Sequence, residues 1–148
     1  MNDDFRKKAR KMLIRDEGYK AKPYRDTVGK MTIGVGRNLD DVGVSGLTIL
    51  QMLDEDIDKA TEAAFRIFGE AEFCSIPEPQ QLAILNMIFN LGEAGFSGFK
   101  NTIAAIKARD WQTVRSHALQ SKWAKQVGKR AERIAELFLG NIPESYKA

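Results

Sequence analysis

At 148 residues, with 43% hydrophobic and 29% charged positions, the chain has the composition of a soluble globular protein forming one domain or two small lobes on a shared core. The single cysteine, Cys74, excludes an intramolecular disulfide and fits synthesis in a reducing compartment. No run approaches the length of a membrane-spanning helix, and the charged segment from Asp3 to Lys11 lacks the apolar core of a signal peptide. The net charge of +3 is mild but unevenly placed. Arg6, Lys7, Lys8, Arg10, Lys11 and Arg15 crowd the first segment, and Lys122, Lys125, Lys129, Arg130 and Arg133 crowd the last third. Such faces suit a polyanion, either nucleic acid or an anionic cell wall, and they equally suit plain solvation.

In chain order, Phe5, Ala9, Met12 and Leu13 follow i, i+4, i+7, i+8 spacing, which predicts a helix over residues 3–16. Gly18 supplies a stop, so Glu17 falls at the C-terminal turn. Residues 22–36 read as a short hairpin that turns at Val28, Gly29 and Lys30, with Gly34 and Gly36 allowing a bend or a close backbone approach. Asn38 to Gly46 is polar and turn-rich. Ser45 is a suitable N-cap for a long helix carrying Leu47, Leu50, Leu53, Ile57, Ala60, Ala64 and Phe68 in register, which Gly69 ends.

Pro77 and Pro79 open a helix over residues 80–91 that is apolar on all sides and is expected at the centre of a helical lobe. Gly92, Gly95 and Gly98 mark short connections. Further helices are expected near 100–108, 110–122 and 129–139, and the tail from Gly140 has no periodicity. The fold class is therefore α+β. A small lobe (about 17–55) carries the hairpin, and a linking helix (about 46–68) leads to a helical lobe (about 70–148) that includes the first helix, with a cleft between lobes.

Glu17, Asp26 and Thr32 place two carboxyls and a hydroxyl around one small hairpin. Glycosidic hydrolysis needs such a set: one carboxyl protonates the leaving oxygen while the other directs a water or attacks the sugar carbon. Spacing alone is weak, because carboxylates are abundant here, and taken by itself it favours a solvated Glu17 beside a turn-forming Asp26.

The surrounding residues are more specific. Asp16–Glu17–Gly18, Tyr24–Arg25–Asp26–Thr27–Val28–Gly29 and Thr32–Ile33–Gly34–Val35–Gly36 resemble the phage-type lysozymes, glycoside hydrolase family 24. The resemblance continues through Asn86 to Glu93, Gly98 to Thr102, Ser121–Lys122–Trp123 and Lys129 to Arg133, in order over most of the chain. It implies a lysozyme-like fold and hydrolysis of the β-1,4 bond between N-acetylmuramic acid and N-acetylglucosamine, with inversion. By that resemblance Glu17 is the general acid, Asp26 assists water attack and Thr32 helps to hold the water. Arg130 matches the family's cleft arginine and would orient Glu17, although a surface cation is the alternative. Phe89 and Thr102 match cleft-lining positions, and Phe89 suits a core position as well. Asn90 is placed to donate to Glu17 or to the hairpin. His117, the only histidine, has no sequence-near ligand partners and reads as a helix-surface residue, although it lies near a polar cleft position of the family.

The resemblance implies no cofactor and no metal. It further implies a monomeric endolysin held in the host cytoplasm until a holin releases it to the peptidoglycan, without stable membrane insertion. No nucleic-acid motif accompanies the basic faces. The alternatives are a non-catalytic peptidoglycan-binding module on the same fold and a lytic transglycosylase, which needs the acid but not Asp26.

Overall fold

A computed structural model of the chain describes residues 2–147. The chain divides into two compact units that meet in sequence after Gln51. The first contains α1 (Asp3–Glu17) and a three-stranded antiparallel sheet of β1 (Lys20–Arg25), β2 (Met31–Gly34) and β3 (Arg37–Asn38), in the order β1-β2-β3. Asn2 caps α1 by accepting from the Phe5 N–H at 2.9 Å, and Asp3 and Asp4 suit the positive end of the helix dipole. Gly18, at φ +84, ends α1 and returns its N–H to Ile14.

Tyr24 pairs with Thr32 and Arg25 with Met31, while the register slips between Lys20 and Tyr24. Pro23 sits in that irregularity, where the ladder loses nothing by its missing N–H. The third strand was not anticipated from sequence. It is two residues long and carries no apolar alternation. It forms because Gly34 and Gly36, at φ +68 and +65, fold the chain back so that Ile33 pairs with Arg37 and Thr32 with Asn38.

The second unit is helical. It receives most of α2 (Gly46–Phe68) and holds α3 (Glu70–Ser75), α4 (Glu78–Ser97), α5 (Lys100–Lys107), α6 (Trp111–Gln120), α7 (Lys122–Val127) and α8 (Lys129–Phe138), then a 3-10 turn at Glu144–Tyr146. Ser45 caps α2 as expected, its Oγ accepting from the Thr48 N–H. The short helices α3 and α7 were not foreseen, since six residues hold less than two turns of periodicity. Gly92 interrupts α4 at φ +75, which is the break that the glycine pattern suggested. Among the described residues no single helix is long and apolar enough to cross a membrane.

The core of this unit gathers Ile84, Met87, Phe96, Ile106, Val114, Ile134 and Phe138, all fully buried. On α8, Ala131, Ile134, Ala135 and Phe138 form one stripe at helical spacing, and the helix packs against α4, α6 and α7. Phe73, Phe68, Phe96 and Phe99, in that order, form an aromatic chain with successive ring centroids 6.3–6.4 Å apart. Contrary to the expectation for α4, Leu82 and Phe89 are exposed, because only part of the helix circumference is covered.

Polar ties lock the ends of the elements. The buried Gln80 donates from Nε2 to the Phe138 carbonyl at 3.1 Å, at the open end of α8. Arg109 sits at φ +58, an unusual backbone for a side chain this large. Its guanidinium donates to the Ile106 and Glu72 carbonyls and to Ser75 Oγ, binding the turn before α6 to α3. Arg66 grips Glu93 through two 2.8 Å bonds, which hold the Glu93 carboxyl below its usual pKa. Asp110 caps α6 by accepting from the Thr113 hydroxyl at 2.6 Å and the Thr113 N–H at 3.2 Å, and these bonds lower its pKa from 3.8.

Two stability measurements follow from this packing. Phe96→Ala removes a fully buried ring at the centre of the aromatic chain, and denaturant melts should show a loss of about 3–5 kcal/mol. Asp110→Asn keeps one capping acceptor, removes the charge and replaces the second acceptor oxygen with an amide donor. Because the folded pKa is lowered, the charge-dependent stability is present above pH 3.8 and lost as pH falls through the folded value. Wild type should therefore exceed Asp110→Asn in melting temperature at neutral pH, with the two curves converging in acid.

Candidate active site

The residues that carry the proposed chemistry divide between the two units. Glu17, Asp26 and Thr32 all lie in the first. Glu17 is the last residue of α1, exposed, with its carboxylate against the turn at Gly36. Asp26 follows β1, and Thr32 stands within β2 as the one buried polar residue among the described residues of this unit, 3% exposed.

Asp26 is both turn-former and free carboxylate. Its Oδ1 accepts from the Val28 N–H at 3.0 Å and the Lys30 N–H at 2.8 Å, while its own N–H donates to the Lys30 carbonyl at 2.9 Å. This closes the β1–β2 turn and fixes the carboxylate plane. Oδ2 takes no protein hydrogen bond among the described residues. The Thr32 hydroxyl donates to the same Lys30 carbonyl at 3.0 Å. Its proton is thus committed, and its oxygen lone pairs are what it can offer a ligand. Lys30 therefore fixes both groups, a role that its residue type does not signal in the sequence. The turn is held on its other side as well, where the Asp40 carboxylate accepts from the Met31 N–H and Asp41 pairs with Lys30 Nζ.

In the second unit, Phe89 and Arg130 line one cavity of about 800 Å³ together with Leu82, Leu85, Asn86 and Tyr146. Asn86 was not singled out from sequence, yet it orients the guanidinium: its Oδ1 accepts from Arg130 Nε at 2.9 Å and Nη2 at 2.7 Å. The only available signal was its place on α4 one turn before Asn90. Asn90 is exposed and its Oδ1 accepts from the Trp123 indole N–H at 2.9 Å, which leaves its amide N–H groups outward. Thr102 and His117 meet in a separate concavity of about 250 Å³ with Asn101, Lys100 and Gln120. Thr102 is buried, and His117 Nδ1 is buried with no hydrogen-bond partner among the described residues. Of the eight candidates, Asp26 and Thr32 share Lys30 while Glu17 rests beside Gly36 in the same unit, and in the second unit Phe89 lies with Arg130, Thr102 with His117, and Asn90 is tied to Trp123.

A family description, phage lysozyme, matches residues 15–136, which include all eight of these positions. This chain belongs to the phage lysozyme family. It is 24% identical to probable T4-type lysozyme 2 of Dictyostelium discoideum over 92% of this chain and 96% of that protein. It is 26% identical to the pre-baseplate central spike protein Gp5 of Enterobacteria phage T4 over 91% of this chain but 28% of the spike protein. Against the peptidoglycan hydrolase gp36 of Pseudomonas phage phiKMV the identity is 30% over 83% of this chain and 14% of that protein. The chain thus spans under a third of the two phage relatives and nearly all of the Dictyostelium protein.

The two roles of Asp26 separate experimentally. Asp26→Asn retains an Oδ1 acceptor and should leave amide exchange at Val28 and Lys30 slow. Asp26→Ala removes the acceptor and should speed exchange at both amides by about tenfold, the loss of one hydrogen bond worth about 1–1.5 kcal/mol.

Proposed function

We propose that this chain is a peptidoglycan hydrolase that cleaves the β-1,4 bond between N-acetylmuramic acid and N-acetylglucosamine with inversion. The observation that carries the reading is the shared anchoring of Asp26 and Thr32 on Lys30, with Glu17 in the same unit. Glu17 protonates the glycosidic oxygen as the bond to the anomeric carbon breaks. A water donates one hydrogen to Asp26 Oδ2 and the other to Thr32 Oγ1, whose own proton is held by the Lys30 carbonyl. The water's lone pair then points away from both acceptors, toward the sugar carbon, and Asp26 takes the proton as the C–O bond forms. Positive charge developing on the sugar is met by the Asp26 carboxylate.

Phe89, with its exposed ring, supports a stacking or packing surface for a saccharide, and Arg130, held by Asn86, supplies a fixed cation for positioning. Asn90, Thr102 and His117 present polar groups suited to N-acetyl, hydroxyl or stem-peptide contacts. The family membership and the hydrolase name of the phiKMV relative support peptidoglycan as the substrate. Action on the bacterial wall after holin-dependent release, by a monomer, belongs to the same proposal.

Glu17→Gln tests it. The amide is isosteric but cannot act as the acid, so lysis of permeabilised Gram-negative cells should fall by about 10²–10⁴-fold with the fold unchanged by circular dichroism. Retention of a tenth of wild-type activity would remove Glu17 from its role. Product analysis separates the alternatives. Hydrolysis with inversion yields reducing ends whose first-formed anomer is α by NMR, whereas anhydro ends would indicate a transglycosylase. Absence of any cleavage alongside retained sacculus binding would indicate a binding module.

A further inference from the structure

Gly36 follows β2 in the turn that leads into β3, at φ +65. A Cβ built on it would stand 2.8 Å from Glu17 Oε2, 3.1 Å from Cδ and 3.3 Å from Cγ. Carbon does not approach a carboxylate oxygen that closely, so any side chain at position 36 forces a movement. The turn cannot supply it. Thr32 pairs with Asn38 and Ile33 with Arg37 on either side, and Leu39 donates to the Met31 carbonyl at 2.7 Å. Glu17 can, since it is an exposed side chain at the end of a helix, and its colliding atoms are the far end of a flexible group. A substitution at Gly36 is therefore relieved by the carboxyl leaving its place.

We infer that Gly36 is a positioning residue for the general acid: its missing side chain creates the seat against which the Glu17 carboxyl rests. The inference depends on the reading of Glu17 as the acid. Proton donation requires the carboxyl within hydrogen-bond reach of the glycosidic oxygen, and misplacement by about 1 Å costs on the order of 10²-fold in rate. The glycine is thus required twice, once by its backbone angle and once by the space beside it, and the second requirement acts on chemistry rather than on folding.

The neighbouring Gly34 provides the control. It has nearly the same backbone angle, φ +68, and nothing lies within 4 Å of a Cβ placed there. Gly34→Ala carries the backbone cost alone, while Gly36→Ala carries that cost and the collision. Both are measured on soluble peptidoglycan fragments, with thermal melts in parallel. Gly36→Ala should lower kcat by about 10²-fold with KM changed less than about threefold, while Gly34→Ala retains kcat within about threefold. Gly36→Asn is the second variant, because asparagine tolerates positive φ and still carries a Cβ. It should reproduce the kcat loss even if the alanine variant fails to fold. In a Glu17→Gln background, adding Gly36→Asn should cause no further loss. Equal kcat losses at positions 34 and 36, an additive loss in the Glu17→Gln background, or a crystal structure of Gly36→Asn with the Glu17 carboxyl unmoved would each overturn the inference. Wild-type activity in Glu17→Gln alone would instead overturn the general-acid reading, and the inference with it.

Discussion

The hydrogen bonds that Lys30 makes with Asp26 and Thr32 are the constraint on which the first unit's candidate site depends. One carboxylate oxygen closes the β1–β2 turn by accepting two backbone N–H groups, and one backbone carbonyl accepts both the Asp26 N–H and the Thr32 hydroxyl proton. Bonds from backbone donors to a carboxylate are short and directional, so they fix its orientation without occupying its second oxygen. The same contacts that shape the turn leave Asp26 Oδ2 and the Thr32 oxygen lone pairs as the unused acceptors, the pair on which the proposed function draws. A turn-forming aspartate and a catalytic aspartate are usually rival explanations, and in the function proposed for Asp26 its two oxygens would divide the roles.

The helical unit works by different physics. Its order comes from close packing of Ile84, Met87, Phe96, Ile106 and Phe138, with polar ties at helix ends and turns and between helices. That rigidity allows a few side chains on its surface to be held at fixed angles. Arg130 has two donors on one Asn86 oxygen, and Asn90 has its carbonyl on the Trp123 indole. Long or amide side chains that would otherwise sample several rotamers are pre-oriented before any ligand arrives, which lowers the ordering cost of binding.

Glycine serves two purposes in the first unit. Gly18 and Gly34 supply backbone angles that side-chain-bearing residues avoid, with open space beside them. Gly36 supplies such an angle and also a contact surface for Glu17. A stability measurement would place these glycines in one class, and only a measurement of the chemical step separates them.

Much of this architecture is determined locally and is legible in the sequence. The apolar spacing of residues 5–13 and 47–68, the Ser45 cap, and the stops at Gly18, Gly69 and Gly92 all act over a few residues, so α1, α2 and the break in α4 could be placed directly. The motifs around Glu17, Asp26 and Thr32 likewise named the candidate acid, base and water-holding residue. Contacts distant in sequence were decided only by tertiary structure. The strand at Arg37–Asn38 exists through pairing, not pattern. The outward turn of Phe89 on an apolar helix follows from which neighbours cover α4, and the Asn86–Arg130 pair joins residues 44 positions apart. The seat of Glu17 on Gly36 joins the end of a helix to a turn across a whole hairpin, and no periodicity or propensity encodes that distance.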